Sequence, residues 1–310
     1  MDLGKDYQRL VERIEPGGRP LRARPLAGGV SAQVTAVDLQ APDGQVKTLV
    51  LRCHGAADRR QNPNIAADEF ALLTKLHHAG LPVPQPRYLD RHGELLGCPG
   101  LVVDYIAGRP EGRPAALAAR AGELAAALAR IHVVDAGDLG FLPDKGHRVG
   151  RWLAAGPPAV SHPHPAAATA AWAALRKAPR WPGPNGKTLL HGDFWPGNLL
   201  WREGRLSGII DWEDACLGDP LADLANSRLE LLWACDGNTD AVADFTRHYL
   251  ALRASDRAPA TLPYWDLYAT LEKGPKIQGW GLDQATELRM RRDLGWFLDQ
   301  ALAKLSRAQG

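Results

Sequence analysis

No stretch of this sequence is long and apolar enough to cross a membrane; its most apolar run, residues 115–134, is broken by Arg120, Glu123 and Arg130. The opening residues, MDLGKDYQRLVERIE, carry charges of both signs and lack the apolar centre of a secretory leader. Charge of one sign is also missing. Lys+Arg number 37 and Asp+Glu 35, for a net +2, which excludes a nucleic-acid binder working by bulk positive charge. The four cysteines, Cys53, Cys98, Cys216 and Cys235, form no CxxC pair. Scattered in this way they predict free thiols in a reducing compartment rather than a disulfide scaffold. No GxxxxGK[ST] is present, so a Walker-type P-loop enzyme is excluded. The expectation is a soluble cytoplasmic protein that uses neither nucleic acid nor membrane as a partner.

What is present is an ordinary globular composition, 45% hydrophobic and 23% charged, over 310 residues. That length serves one large core or two lobes with a cleft. Residues 21–27, 32–40 and 46–53 read as short strands, the last two joined by Pro42-Asp43-Gly44. A helix is predicted over 64–79, and two more strands near 86–91 and 100–105. After Gly108 the pattern turns helical. Leu117, Ala121, Leu124, Leu128 and Ile131 recur at helical spacing. Further helices are predicted near 166–177, 220–234, 239–253, 262–273 and 284–306, around one β island at 188–210. The fold class is α+β: a small β-rich N-terminal lobe with hinge, residues 1–106, and a larger helical lobe, residues 107–310.

The island LLHGDFWPGNLLWREGRLSGIIDWEDACLGDPLADLA carries the chemistry. Leu199–Glu203 and Leu206–Ile210 read as a hairpin, with Asn198 just before it and Asp211 just after, so its open end brings the two together. Asp193 lies on the loop leading in. Two carboxylates and an amide oxygen are hard ligands of the kind Mg²⁺ takes alongside substrate phosphates. The spacing His191-x-Asp193-x-x-x-x-Asn198 is that of a kinase catalytic loop, in which the Asp accepts the proton of the attacking hydroxyl and the Asn holds metal.

On these residues the chain resembles the aminoglycoside phosphotransferase and choline kinase-like family, a branch of the protein-kinase-like fold. HGDFWPGN is similar to that family's HGDxxxxN, and IIDWEDACLGDPLADLA to its second motif, over roughly residues 21–235. The resemblance implies a two-lobed small-molecule kinase that moves the γ-phosphoryl group of ATP or GTP to a hydroxyl. The acceptor is aminoglycoside-like or another small hydroxylated molecule. Asp193 is then the catalytic base, and Asn198 and Asp211 hold Mg²⁺. A phosphate loop at Gly28, Gly29 and Ser31 is implied, with Arg52 on the phosphates where most kinases place Lys. Glu69 is the partner of Arg52, with Asp68 the alternative. The backbone of Asp104 and Ile106 would hold the adenine, while Tyr105 packs beside the base or faces solvent. Glu213 and Asp214 would contact a cationic acceptor.

Competing readings are a fructosamine-, choline- or macrolide-type kinase of the same fold, and a nucleotide-binding pseudokinase. Asp219 before Pro220 reads as a helix N-cap, Asp223 as a tie to the catalytic loop, and His191 as a loop anchor. His162-Pro163-His164 reads as a surface loop rather than a zinc site. Trp233, Trp265 and Trp280 read as core sooner than pocket. Glu230 and Asp236 read as exposed carboxylates, and Lys273, Lys276, Arg289, Arg291 and Arg292 as a solvated helical face.

Overall fold

The computed structural model describes residues 5–26, 32–156, 162–178, 186–253 and 258–309. In chain order its first elements are α1 (Lys5–Ile14), β1 (Arg19–Pro25), β2 (Ala32–Gln40), β3 (Val46–His54), α2 (Ala56–Gln61), α3 (Ile65–His78), β4 (Pro86–Asp90) and β5 (Gly100–Asp104). There follow α4 (Pro114–Ala119), α5 (Ala121–His132), α6 (Lys145–Ala155), α7 (Pro165–Lys177), β6 (Thr188–Leu190), β7 (Leu199–Arg202), β8 (Arg205–Ile209) and β9 (Cys216–Gly218). The chain closes with α8 (Pro220–Ala234), α9 (Thr239–Leu252), α10 (Ala258–Lys273) and α11 (Gln284–Gln309). The strands of the first lobe and the long helices lie where the hydrophobic period predicts them. Helices α1, α2 and α6 are additions, short and rich in charge; α1 nevertheless sets Tyr7, Leu10, Val11 and Ile14 against the core. Among the described residues no helix is long and apolar enough to cross a membrane.

Two compact units emerge. The first comprises residues 1–109 and 200–213, the second 110–199 and 214–310. In the first, five antiparallel strands run in the order β1-β2-β3-β5-β4. The two-residue period of β3 divides its side chains. Leu49 and Leu51 join Val37, Leu39 and Val102 in a core closed by Leu10 and Val11 of α1. Arg52 and His54, on the other parity, both reach Glu69 of α3. The hairpin β7–β8 turns at Glu203-Gly204, whose φ values of 51° and 76° are both positive, as a type I′ turn requires. It is fastened within this unit by reciprocal backbone bonds between Arg109 and Trp201 (3.0 and 2.9 Å). Ser207 Oγ adds a bond to the Ala107 carbonyl (2.9 Å).

The cysteine expectation is corrected here: Cys53 and Cys98 form a disulfide. Their spacing conceals the pairing, but the sheet register does not. Cys53 of β3 stands opposite Gly100 of β5, two residues from Cys98. Buried Asp90 accepts the backbone N–H groups of Glu94, Leu95 and Leu96 and orders the turn that carries Cys98. The bond closes a loop of 45 residues, worth about 4 kcal/mol in the chain-entropy account. Reduction, or Cys53→Ser with Cys98→Ser, should therefore lower the melting temperature by several degrees. An unchanged melt with and without reductant would show that the bond contributes nothing. Cys216 and Cys235 are buried free thiols, and burial pushes Cys216 up to about 12, which keeps it unreactive.

In the second unit α8 is the central helix, apolar nearly all round, with Leu221, Leu224, Ala225, Leu229, Leu231 and Leu232 buried. Asp219 caps it, accepting from the Leu221 N–H at 2.9 Å, and its other oxygen accepts from Trp265 Nε1 at 3.0 Å. Trp265 and Trp233 are buried, and Trp280 stacks edge-on against Trp233. The surface-loop expectation for His162 and His164 is corrected. His162 is buried against the Thr270 carbonyl (3.3 Å), and His164 Nε2 lies 2.7 Å from the Arg291 carbonyl. These rings join the segment before α7 to α10 and α11.

Candidate active site

In the first unit the site is built on Arg52. β3 carries it to the face of α3, where its Nε lies 3.5 Å from Glu69 Oε2. Its terminal Nη2 meets Asp211 Oδ1 at 2.7 Å and Glu213 Oε2 at 2.6 Å. His54 Nε2 lies 2.8 Å from Glu69 Oε2. Burial alone would raise the Glu69 carboxyl; Arg52 and then His54 more than offset it and hold the group below its usual range. Burial likewise opposes the Arg52 charge, and Glu69, Asp211 and Glu213 outweigh it, so its pKa is raised. One guanidinium thus faces three carboxylates, a local excess of negative charge that a divalent cation would neutralise. Asp211 adopts φ 68°, a left-handed conformation uncommon outside glycine, Asn and Asp.

Asp104, at the end of β5, directs its carboxylate at Arg87 (2.7 and 2.6 Å) and its backbone N–H at the Gln85 carbonyl (2.9 Å). Ile106 packs over Gly208, where an added Cβ would stand 2.8 Å from the Ile106 Cγ2. Tyr105 is two-fifths exposed, beneath the Arg24 guanidinium. The expected phosphate loop at Gly28, Gly29 and Ser31 lies outside the described residues.

In the second unit the loop from His191 to Asn198 is held from several directions. Asp223 of α8 accepts the N–H groups of His191 (2.6 Å) and Gly192 (3.0 Å). Behind it stand His132 Nε2 at 3.3 Å and, on that ring's other nitrogen, the Tyr249 hydroxyl at 2.6 Å. Burial would raise Asp223; its contacts with His132 and the backbone N–H of His191 lower it on balance. Ser227 Oγ donates to the Phe194 carbonyl at 2.8 Å. His191 is fully buried and its Nδ1 accepts the Asp193 N–H at 3.3 Å, an anchor's role. Gly192 has φ 85°, and a Cβ there would lie 2.1 Å from the Asp214 carbonyl oxygen. The glycine of the His-Gly-Asp motif is thus a steric requirement.

The Asp193 carboxylate is gripped at both oxygens. Asn198 Nδ2 donates to Oδ2 at 3.3 Å and to the Asp193 carbonyl at 3.0 Å. Lys273 Nζ donates to Oδ1 at 3.0 Å. With its nitrogen committed, the Asn198 amide oxygen is the atom left to face a cation. Among the described residues no group of three or more His, Cys, Asp or Glu side chains is arranged to hold a metal unaided.

The expectations for Lys273 and Glu230 change. Lys273 belongs to no solvated face; it is buried between Asp193 and Glu230, and Glu230 is itself buried rather than exposed. Glu213 and Asp214, adjacent in sequence, go to different units: Glu213 is on Arg52, while Asp214 has Arg148 at 3.9 Å. Sequence reasoning also missed Ser227 and Lys273. A signal for Ser227 exists: Asp223, Ser227 and Glu230 fall at helical spacing on one face of α8, a polar stripe that must meet polar partners when buried.

The sequence and fold have recognisable relatives. Residues 22–274 match the model of the group described as "Phosphotransferase enzyme family". Acyl-CoA dehydrogenase family member 10 of Mus musculus is 28% identical over 59% of this chain and 18% of its own length. A homoserine kinase of Azorhizobium caulinodans is 31% identical over 51% of each. The chain therefore spans under a fifth of the mouse relative and about half of the bacterial one. Among solved structures, the apoenzyme of macrolide 2'-phosphotransferase MphH from Brachybacterium faecium superposes with a TM-score of 0.62 at 20% identity, covering 93% of this chain and 96% of that one. A thermostable mutant of aminoglycoside phosphotransferase APH(4)-Ia, in ternary complex with AMP-PNP and hygromycin B, gives 0.60 at 18% identity, covering 96% and 98%. The α+β, protein-kinase-like fold expected from the sequence is the fold these structures share.

Proposed function

We propose, from the fact that the chain belongs to the phosphotransferase enzyme family, that it is a small-molecule kinase transferring the γ-phosphoryl group of ATP or GTP to an alcohol oxygen. The observation that carries this reading is the Asp193 carboxylate, fixed on a buried, multiply anchored loop yet itself partly exposed. A residue so held is positioned to take the proton of an incoming hydroxyl. In the transfer, the acceptor oxygen bonds to the γ-phosphorus, the bond to the β,γ-bridging oxygen breaks, and the hydroxyl proton goes to Asp193. Arg52 would exchange Asp211 or Glu213 for phosphate oxygens while keeping Glu69. The backbone of Asp104, through its carbonyl, and of Ile106 would meet the adenine. Asp211 and Asn198 are each proposed, from the motifs that carry them, as a ligand for Mg²⁺, which when bound would neutralise phosphate charge.

The acceptor is read as a small hydroxylated molecule, and the charges favour one of low positive charge. Asp193 and Glu230 share Lys273, Glu272 has Lys145 at 3.6 Å and Lys276 at 3.7 Å, and Asp214 has Arg148. A polycation such as an aminoglycoside would have to displace these protein cations. The test is a Mg·ATP and Mg·GTP consumption screen against neutral, zwitterionic and polycationic hydroxylated compounds, homoserine, macrolides and aminoglycosides among them. The expected result is nucleotide consumption and a phosphorylated product with a neutral or zwitterionic compound. Nucleotide binding without turnover of any compound or of water would instead establish a pseudokinase.

A further inference from the structure

Lys273 ends α10, where a cation is favoured by the helix dipole. Nothing about that location demands burial beside a carboxylate, yet the side chain is only 13% exposed. Its ammonium lies 3.0 Å from Asp193 Oδ1 and 2.7 Å from Glu230 Oε1. Glu230 stands on the same face of α8 as Asp223 and Ser227, which hold the backbone of the Asp193 loop. The helix therefore reaches the loop three times: twice at its main chain and, through Lys273, once at its reacting carboxylate.

From this chain of contacts we infer that Lys273 is a positioning residue for phosphoryl transfer, orienting the Asp193 carboxylate so that Oδ2 is presented to the acceptor hydroxyl, with Glu230 fixing the ammonium in turn. The inference rests on the kinase reading above and adds to it the group that sets the rotamer of the base. Two carboxylates share one ammonium, so Asp193 and Glu230 together keep a net negative charge. Lys273 steers Asp193 without cancelling it. Burial alone would lower the Lys273 pKa; Glu230 and then Asp193 more than offset it, and the net direction is upward. The side chain thus stays a cation. Without it, Oδ1 loses its charged donor and the carboxylate is free to rotate away from Asn198. Misplacing a catalytic group by about 1 Å costs on the order of 10²-fold.

The experiment is a double-mutant cycle on Mg·ATP turnover with water as acceptor, repeated with any compound phosphorylated in the screen. The proteins are wild type, Lys273→Met, Asp193→Asn and the combination. Because Lys273→Met strands buried Glu230, a Lys273→Gln/Glu230→Gln protein is run alongside; it removes the ammonium but keeps a neutral hydrogen-bonded pair. Lys273→Met and the Gln/Gln protein should each lower kcat about 10- to 100-fold and leave the ATP Kd within threefold. Adding Lys273→Met to Asp193→Asn should cost less than twofold more. A merely structural lysine would cost the same in both backgrounds, and that result overturns the inference. So does wild-type turnover in the Gln/Gln protein while Asp193→Asn is inactive, which leaves the kinase reading intact. Wild-type turnover in Asp193→Asn itself would overturn both.

Discussion

Asp193→Asn should abolish phosphoryl transfer while leaving nucleotide binding near wild type. The substitution keeps the size of the side chain and, with its amide oxygen toward Lys273, that hydrogen bond; it removes the negative charge, the capacity to accept a proton and the weaker 3.3 Å bond from Asn198. The loop beneath it does not depend on the carboxylate, because Asp223 and Ser227 bind its backbone. Lys273 keeps Glu230 at 2.7 Å, so no buried charge is stranded. Loss of a positioned general base costs about 10²–10⁴-fold in kcat, and the KM for ATP should not move. Steady-state kinetics and a calorimetric nucleotide Kd on the same preparation decide it. A kcat within threefold of wild type would remove Asp193 from the reaction.

Arg52→Ala should damage both activity and stability, and the two can be separated. The guanidinium is the cation for three carboxylates, of which Glu69 is almost wholly buried. Removing one partner of a buried pair costs about 3–5 kcal/mol, much of it the charge left behind; His54 retains part of the Glu69 interaction, which places the expected loss at the lower end. Arg52→Ala combined with Glu69→Gln should restore most of the melting temperature and none of the turnover. Arg52→Lys should keep partial activity, since the charge survives and the bidentate fork does not. Wild-type nucleotide affinity and turnover in the stabilised double variant would confine Arg52 to a structural role.

Asp193, Asn198 and Asp211 could be selected from the sequence because their chemistry sits within one short segment, where spacing around a hairpin is itself geometric information. Arg52 and Glu69 were named by what the family resemblance implies for the third strand and the helix that follows it. Glu213 was read toward a cationic acceptor from its place beside the catalytic island; in the structure its carboxylate meets the guanidinium of Arg52 on β3. Lys273 looked like one of several cations near the end of the chain. Its burial depends on α10 packing beside α8, and helical spacing says nothing about which neighbour covers a face.

By itself the sequence determined the α+β class, the strands of the first sheet, the long helices of the second unit, and the His-Gly-Asp loop with its Asp-Pro helix cap. These follow from local rules: side-chain period, turn chemistry and helix capping. Tertiary structure alone decided which charges meet. It paired Cys53 with Cys98 through the β3–β5 register, gave Arg52 three carboxylates, buried His162 and half-buried His164 as joints, and set Lys273 between Asp193 and Glu230. An ion pair or a disulfide joins residues far apart in the chain, and its energy depends on distance and burial. Both quantities exist only once the helices and strands have packed.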